Sequence, residues 1–189
     1  MTVPWSETGS RRAPDRLVLV QAFVNTRDIE AGADTIDAPE SLAAWLLRND
    51  LLPAYTDLTR TDVERAVALR EALRALLFAQ HDGSAPRDTI ATLDGLASGA
   101  PLTVGFSSDG TTTLRPAAGG LDGAVAALLA IVHAATIDGT WSRLKACRNE
   151  TCQWVYFDQS KNRSSAWCIM AACGNRMKSR TYRERHTKP

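Results

Sequence analysis

The first 140 residues of this 189-residue chain contain no lysine and no cysteine, and their eleven arginines are outnumbered by eighteen acids. A segment without cysteine cannot hold a thiolate metal site or a disulfide. The same stretch has no P-loop, no glycine-rich dinucleotide turn and no Gly-x-Ser-x-Gly, so the commonest nucleotide-binding and hydrolase signatures are excluded. Histidine is scarce as well. His81 falls at a helix end, His133 on an apolar helix and His186 in a basic tail, so none has the neighbours that acid–base catalysis requires, and no enzyme is expected. Residues 1–10 lack the apolar core of a signal sequence, and the longest apolar stretch, Ala124 to Val132, is too short to span a bilayer. A cytoplasmic protein with no membrane partner is the expectation, and a reducing compartment disfavours disulfides.

All four cysteines lie in the last quarter, as Cys147-Arg-Asn-Glu-Thr-Cys152 and Cys168-Ile-Met-Ala-Ala-Cys173, fifteen residues apart. Two evenly spaced pairs joined by a medium loop suit the tetrahedral shell of one Zn²⁺, with Cys147, Cys152, Cys168 and Cys173 as metal ligands. Four thiolates leave no open position for water, so the ion is expected to be structural. Chelation is then expected to unfold this segment and largely to spare the rest.

Charge divides the chain at the same place. Residues 141–189 carry four lysines and seven arginines against Glu150, Asp158 and Glu184, a net of +8, whereas residues 1–140 carry −7. Four thiolates on Zn²⁺ lower the basic segment only to about +6. Such a module fits a polyanion, because each neutralised phosphate releases counterions. The alternative is a protein-interaction module whose basic face docks on an acidic protein surface, the chain's own acidic half included.

Hydrophobic periodicity fills in the elements. Residues 1–14, with Pro4, Gly9, Ser10 and Pro14, read as a flexible tail. Leu17 to Val24 is a nearly continuous apolar run that suits a buried helix or a strand, and Leu17, Val20 and Val24 sharing one helical face favours the helix. Asp37-Ala-Pro39-Glu40 reads as a helix start with Asp37 as N-cap, the helix running to about Arg48. Thr61-Asp-Val-Glu64 reads as a capping box opening a helix of about five turns. The face bearing Val63, Val67 and Leu73 serves either a core or a homodimer. Residues 88–98 predict another helix with Ile90, Leu93, Leu96 and Ala97 inward. Leu102 to Phe106 and Thr111 to Arg115 flank an Asp-Gly turn and predict a β-hairpin. Leu121 to Asp138 returns to an apolar helix stopped by Gly139. The fold class is thus mainly α with a small β-hairpin: a helical domain over 15–139, then a metal-bound module over 140–189.

Within the module, Gln153 to Phe157 predicts a short strand and Asp158 to Asn162 a turn. Residues five apart on an α-helix lie about 140° apart, so Cys168 and Cys173 cannot both sit mid-helix, and the helix should start at or after Cys168. Its N-terminal N–H groups would then face thiolate sulfur. Along it Arg176, Arg180 and Arg183 form one stripe, opposite Met170, Cys173, Gly174 and Met177. Trp141, Trp154 and Trp167 read as anchors for a segment too small to build an adequate core otherwise.

The run Cys173-Gly-Asn-Arg176, preceded by Trp167-Cys168-x-Met170 and by Phe157-Asp158, Ser160 and Asn162, resembles the CGNR zinc finger. Upstream, Phe23-Val-Asn-Thr26 and Leu69-Arg-Glu-Ala-Leu-Arg74 are similar to the ABATE domain that precedes this finger. The resemblance implies a treble-clef-like Cys₄ finger and a stress-induced bacterial transcription regulator that binds DNA, its N-terminal domain answering to a small-molecule or protein ligand. Arg163, Arg176, Lys178, Arg180, Arg183 and Arg185 are the nucleic-acid contact candidates. Asp158, Asn162, Gly174 and Asn175 are candidates for bracing the metal site, with Arg176 pairing to Asp158 as an alternative to a DNA contact. Where relatives carry basic residues before Trp-Cys, this chain has Ser165 and Ala166.

Overall fold

A computed structural model describes residues 11–186. Its elements run α1 (Leu17–Val24), the two-residue strands β1 (Arg27–Asp28) and β2 (Ala33–Asp34), α2 (Pro39–Arg48), α3 (Arg60–Ala79), α4 (Arg87–Ser98), β3 (Leu102–Phe106), β4 (Thr112–Pro116), α5 (Gly120–Ile137), β5 (Leu144–Ala146), β6 (Val155–Phe157) and α6 (Asn175–His186). A 3₁₀ turn at Trp141–Arg143 leads into β5, and a π-helical turn at Met170–Gly174 leads into α6. The strands form three separate antiparallel pairs.

The long helix α3 packs on α1, α2, α4, α5 and β5. Its Val63, Ala66, Leu69, Leu73 and Leu77 are buried and Val67 is packed against the same core, so the face considered for a homodimer is covered within the protomer. From α1 come Leu17, Val20, Phe23 and Val24, with Phe23 lying 5.5 Å from the Trp45 ring of α2. Helix α5 adds Leu121, Val125, Leu128 and Ile131. By length and composition this 18-residue helix could cross a membrane, although 44 % of it is buried inside the protein, with Leu121, Val125, Leu128 and Ile131 in the core.

Three local readings are corrected. Helix α2 is not capped by Asp37; Ala38 takes the N-cap position, and the Ser41 hydroxyl accepts its N–H at 3.0 Å. The box that opens α3 is Thr59 with Asp62, two residues earlier than Thr61 with Glu64: Thr59 Oγ1 accepts from the Asp62 N–H and Asp62 Oδ2 accepts from the Thr59 N–H. Helix α4 lies on the surface, with Ile90 and Ala97 exposed and only Leu93 and Leu96 packed on the core. The expected hairpin is present, with β4 starting one residue later than read, Phe106 paired with Thr112 and Gly110 at φ 83° in the turn.

The first ten residues, assigned to a tail, lie outside the described residues. Residues 11–14 do not behave as tail: Ala13 is 5 % exposed in the core, and Arg11 donates to the Trp167 carbonyl at 2.5 Å and to Ser165 Oγ at 3.1 Å.

Candidate metal centre and nucleic-acid interface

Strands β5 and β6 pair antiparallel, Leu144 with Phe157 and Ala146 with Val155, and project Cys147 and Cys152 from the turn at their tip. That turn closes through the N–H of Cys152 and of Gln153, both donating to the Asn149 carbonyl, and through the Cys147 N–H donating to the Trp154 carbonyl. Gln153 makes the reversal with a left-handed φ of 47°. The second pair arrives on the segment before α6. Cys168 precedes the helix and Cys173 lies in its π turn, where Gly174 N–H reaches back five residues to the Ile169 carbonyl. The wider turn resolves the 140° conflict without requiring both residues on one α-helical face.

All four sulfurs lie within 4.8 Å of one another, and all four cysteines are at most 5 % exposed. The Cys152–Cys168 and Cys168–Cys173 sulfur pairs are each 3.7 Å apart. A tetrahedron with Zn–S bonds of about 2.3 Å needs edges of about 3.8 Å. The donor set therefore fits one Zn²⁺ ion and excludes disulfide geometry, which needs sulfurs about 2 Å apart. Hydrogen bonds from Cys152 and Cys168 favour a thiolate at Cys147, while acceptance by Cys147 pushes the thiols of Cys152 and Cys168 up. Filling the site with a cation must then release protons, so metal affinity falls as pH is lowered.

The N–H groups turned toward sulfur come from the turn and from Cys168 ahead of the π turn: backbone Asn149 and Cys168 on Cys147, backbone Trp154 on Cys152, and the Asn149 amide on Cys173 at 3.8 Å. Trp154, Trp167 and Ile169 pack on this cluster, whereas Trp141 packs on the main core. A Cβ on Gly174 would strike Met170 Sδ and come within 3.1 Å of the Trp167 ring. The bare backbone there permits the close packing of the helix onto the cluster.

Asp158 braces the module, although not through Arg176. It is 1 % exposed and accepts from Lys145 Nζ at 2.8 Å, from Ser160 N–H at 3.0 Å and from Ser165 N–H at 3.0 Å. Burial opposes its ionisation, but the Lys145 ammonium and the Ser160 donor outweigh that and hold the carboxyl down at about 2. Lys145 also donates to the Arg163 carbonyl. The Ser165 contact is made by its backbone N–H, so it depends on the path of the chain and not on the side chain. Asn162 is exposed on this turn, and Asn175 donates to the Ala171 carbonyl at 3.1 Å, tying α6 to the π turn.

The module does not hang from a linker. Leu144, Ala146, Val155 and Phe157 are part of the main hydrophobic core. Asn25 at the end of α1 acts toward Val155 as a strand neighbour would, its amide accepting the Val155 N–H and donating to the Val155 carbonyl, both at 2.8 Å. Buried Arg74 donates to the Gln153 carbonyl at 3.1 Å and to the Val24 carbonyl at 2.6 Å, while Arg70 holds Asp34 through two bonds of 2.7 and 2.8 Å. His81 meets the Ala146 carbonyl at 2.7 Å, and burial lowers its pKa, which favours the neutral Nε2–H form. Asn25, Arg70 and Arg74 stand inside the two upstream motifs, yet polar residues at such spacing gave no sign of what they would bind.

Outside the metal core, the exposed side of α6 and the cysteine turn enclose a groove of about 680 Å³ lined by Asn149, Thr151, Asn175, Arg176, Ser179, Arg180 and Arg183, with Met177 and two alanines. Arg176, Arg180 and Arg183 are exposed, and Arg176 pairs with Glu30 of the β1–β2 loop instead of Asp158. Lys178 and Arg163 are exposed but not among the lining residues; Arg163 sits at φ 52°. Arg185 belongs to α6, and its side chain lies outside the described set.

Residues 17–138 match a family described as "Putative stress-induced transcription regulator", designated ABATE. The chain belongs to the ABATE family. Residues 143–186 match the CGNR zinc finger, so this ABATE domain is followed by the finger whose four cysteines can hold one zinc ion. No curated protein matches the chain. Neither family is an enzyme family, and both agree with a regulator. In this ABATE protein the two matched segments share one hydrophobic core.

Proposed function

We propose that the protein is a zinc-dependent, DNA-binding transcription regulator of the bacterial cytoplasm, with α6 and the cysteine turn as its DNA-facing surface and the ABATE domain as the part that answers to a ligand or partner. The observation that carries this reading is the groove along α6, which is lined by the three exposed arginines Arg176, Arg180 and Arg183 together with Thr151 and Ser179. Guanidinium and hydroxyl donors on one concave face are the chemistry of phosphate and base-edge contacts. The metal's part is structural: it fixes the turn and the helix start between which that face is formed. Lys178 and Arg163 extend the basic surface beyond the groove in this reading, and Arg185 remains a contact candidate by its place in the sequence.

The test is selection from a randomised duplex library with the zinc-loaded protein, followed by salt titration of enriched and scrambled sequences. Enrichment of one motif, with preference retained at moderate salt, is expected. Replacing Arg180 and Arg183 together by alanine should lower the salt slope by about 2, near one unit for each phosphate that is no longer neutralised. Binding that vanishes equally for all sequences, with no motif, would overturn sequence-specific regulation. The Arg176–Glu30 pair favours one rival reading, a basic finger that docks on acidic protein surfaces, because a carboxylate already occupies an arginine of the groove.

A further inference from the structure

Helix α5 is rich in apolar residues, yet fewer than half of its residues are buried. The uncovered part lies at its C-terminal half, where Ala130, Ala134 and Ile137 continue a stripe begun by the partly buried Ala127 and share the lining of one groove with the cross-strand pair Val104 and Leu114 of β3–β4. Methyl side chains leave open the space that leucines would fill. The result is a groove of about 880 Å³, bounded also by residues 14–17 and 50–53, with Val104 59 % and Ile137 75 % exposed. This volume lies in the range that encloses drug-sized molecules, and its walls are mainly apolar, as such sites require.

Its charge is one-sided. Asp15, Asp50 and Asp138 line it against a single guanidinium, that of Arg16, with His133 the remaining titratable group of the lining. Asp15 and Asp50 both hold left-handed backbone, at φ 47° and 54°, a conformation that aspartate tolerates better than most residues. Asp138 accepts from the Thr140 hydroxyl and N–H, which lower its pKa and keep it ionised.

We propose that this groove is an effector site for an amphipathic monocation, a drug-sized apolar body carrying one amine or quaternary ammonium. The apolar body covers the alanine stripe and the Val104–Leu114 pair, and the ammonium end is held by the carboxylate rim. An anion of the same shape would meet a surplus of negative charge at the exposed carboxylate rim. A second copy of the chain fits less well, since a two-fold contact centred here would set the three carboxylates against themselves. The groove also touches the finger's mooring: Thr140, one of its lining residues, directly precedes the 3₁₀ turn that leads into β5 and Cys147. The site thus deepens the ligand-answering half of the function proposed above, and only its regulatory consequence rests on that reading.

The experiment titrates zinc-loaded full-length protein, without DNA, with 4-phenylbutylammonium, 4-phenylbutan-1-ol and 4-phenylbutyrate, a matched cation, neutral and anion, followed by calorimetry and amide chemical shifts. The cation is expected to bind about tenfold more tightly than the alcohol and the carboxylate most weakly, with shifts centred on Ala127, Ala130 and Ala134. Asp15→Asn with Asp50→Asn keeps residues that tolerate left-handed backbone and should bring the cation close to the alcohol without weakening the alcohol. Ala130→Trp should fill the groove and remove all three. Equal binding of the three probes, no binding, or shifts elsewhere would overturn the proposal. So would a solution dimer dissociated by Val104→Glu, which assigns the groove to a second copy. Duplex selection is run separately: a protein that binds the cation but no DNA keeps this site and loses the regulator reading, and the reverse result does the opposite.

Discussion

At the scale of single residues, the Lys145–Asp158 pair is the most demanding feature of the finger, because both side chains are buried and each satisfies the other. Removing one partner leaves an uncompensated charge in the interior, so Asp158→Asn is expected to cost about 3 kcal/mol in urea unfolding of the zinc-loaded protein. The folded-state pKa is depressed to about 2, below the ordinary carboxylate value. Its contribution is therefore complete above about pH 4 and is lost as pH falls through about 2, and the variant should lose that part of the acid dependence. An unchanged acid limb in the variant would contradict this assignment. The cysteines could be read from sequence because their spacing encodes their geometry. Lys145 could not, since its partner lies thirteen residues away across a strand pair whose register only folding defines. Arg176 illustrates the same limit: its helical face was predictable, but its carboxylate partner Glu30 comes from a loop near the other end of the chain.

At the scale of elements, helix α3 offers two overlapping capping boxes, Thr59 with Asp62 and Thr61 with Glu64, and periodicity alone does not choose between them. The folded chain uses the first, with Thr59 Oγ1 accepting from the Asp62 N–H at 3.2 Å. Thr59→Ala should cost about 1 kcal/mol, whereas Thr61→Ala, an exposed change inside the first turn, should stay within about 0.5 kcal/mol. Thermal unfolding of the two variants side by side separates them, and equal losses would place the cap elsewhere. Existence and approximate length of α2, α3, α5 and the β3–β4 hairpin followed from apolar periodicity and turn residues, which are local properties, whereas the continuous apolar run that forms α1 also suited a buried strand. The inward side of α4 did not, because whether an apolar stripe is covered depends on what packs there. Ile90 is 41 % exposed for want of a neighbour, not for want of a pattern.

At the scale of the whole molecule, charge and cysteine content divide the chain into two modules, but packing does not. Leu144, Ala146, Val155 and Phe157 sit in the helical core, and Asn25, Arg74 and His81 bind the backbone of β5, β6 and the turn between them. The sequence expectation that chelation spares the helices is revised accordingly, since the strands that carry the first cysteine pair are also part of what α1 and α3 pack against. Zinc sites of this kind contribute about 10–16 kcal/mol to folding, comparable with the whole stability of a domain. Removal of the ion is expected to lower the melting temperature of the helical domain as well as that of the finger, in one transition seen alike by far-ultraviolet dichroism and tryptophan fluorescence. Hydrogen exchange should show α1 and α3 losing protection together with β5 and β6. Arg74→Lys should reproduce part of this loss with zinc present, because one ammonium cannot span the carbonyls of Val24, Arg27 and Gln153 as a guanidinium does. Two separate transitions, with α1 and α3 still protected in the chelated protein, would restore the picture of a finger that folds independently.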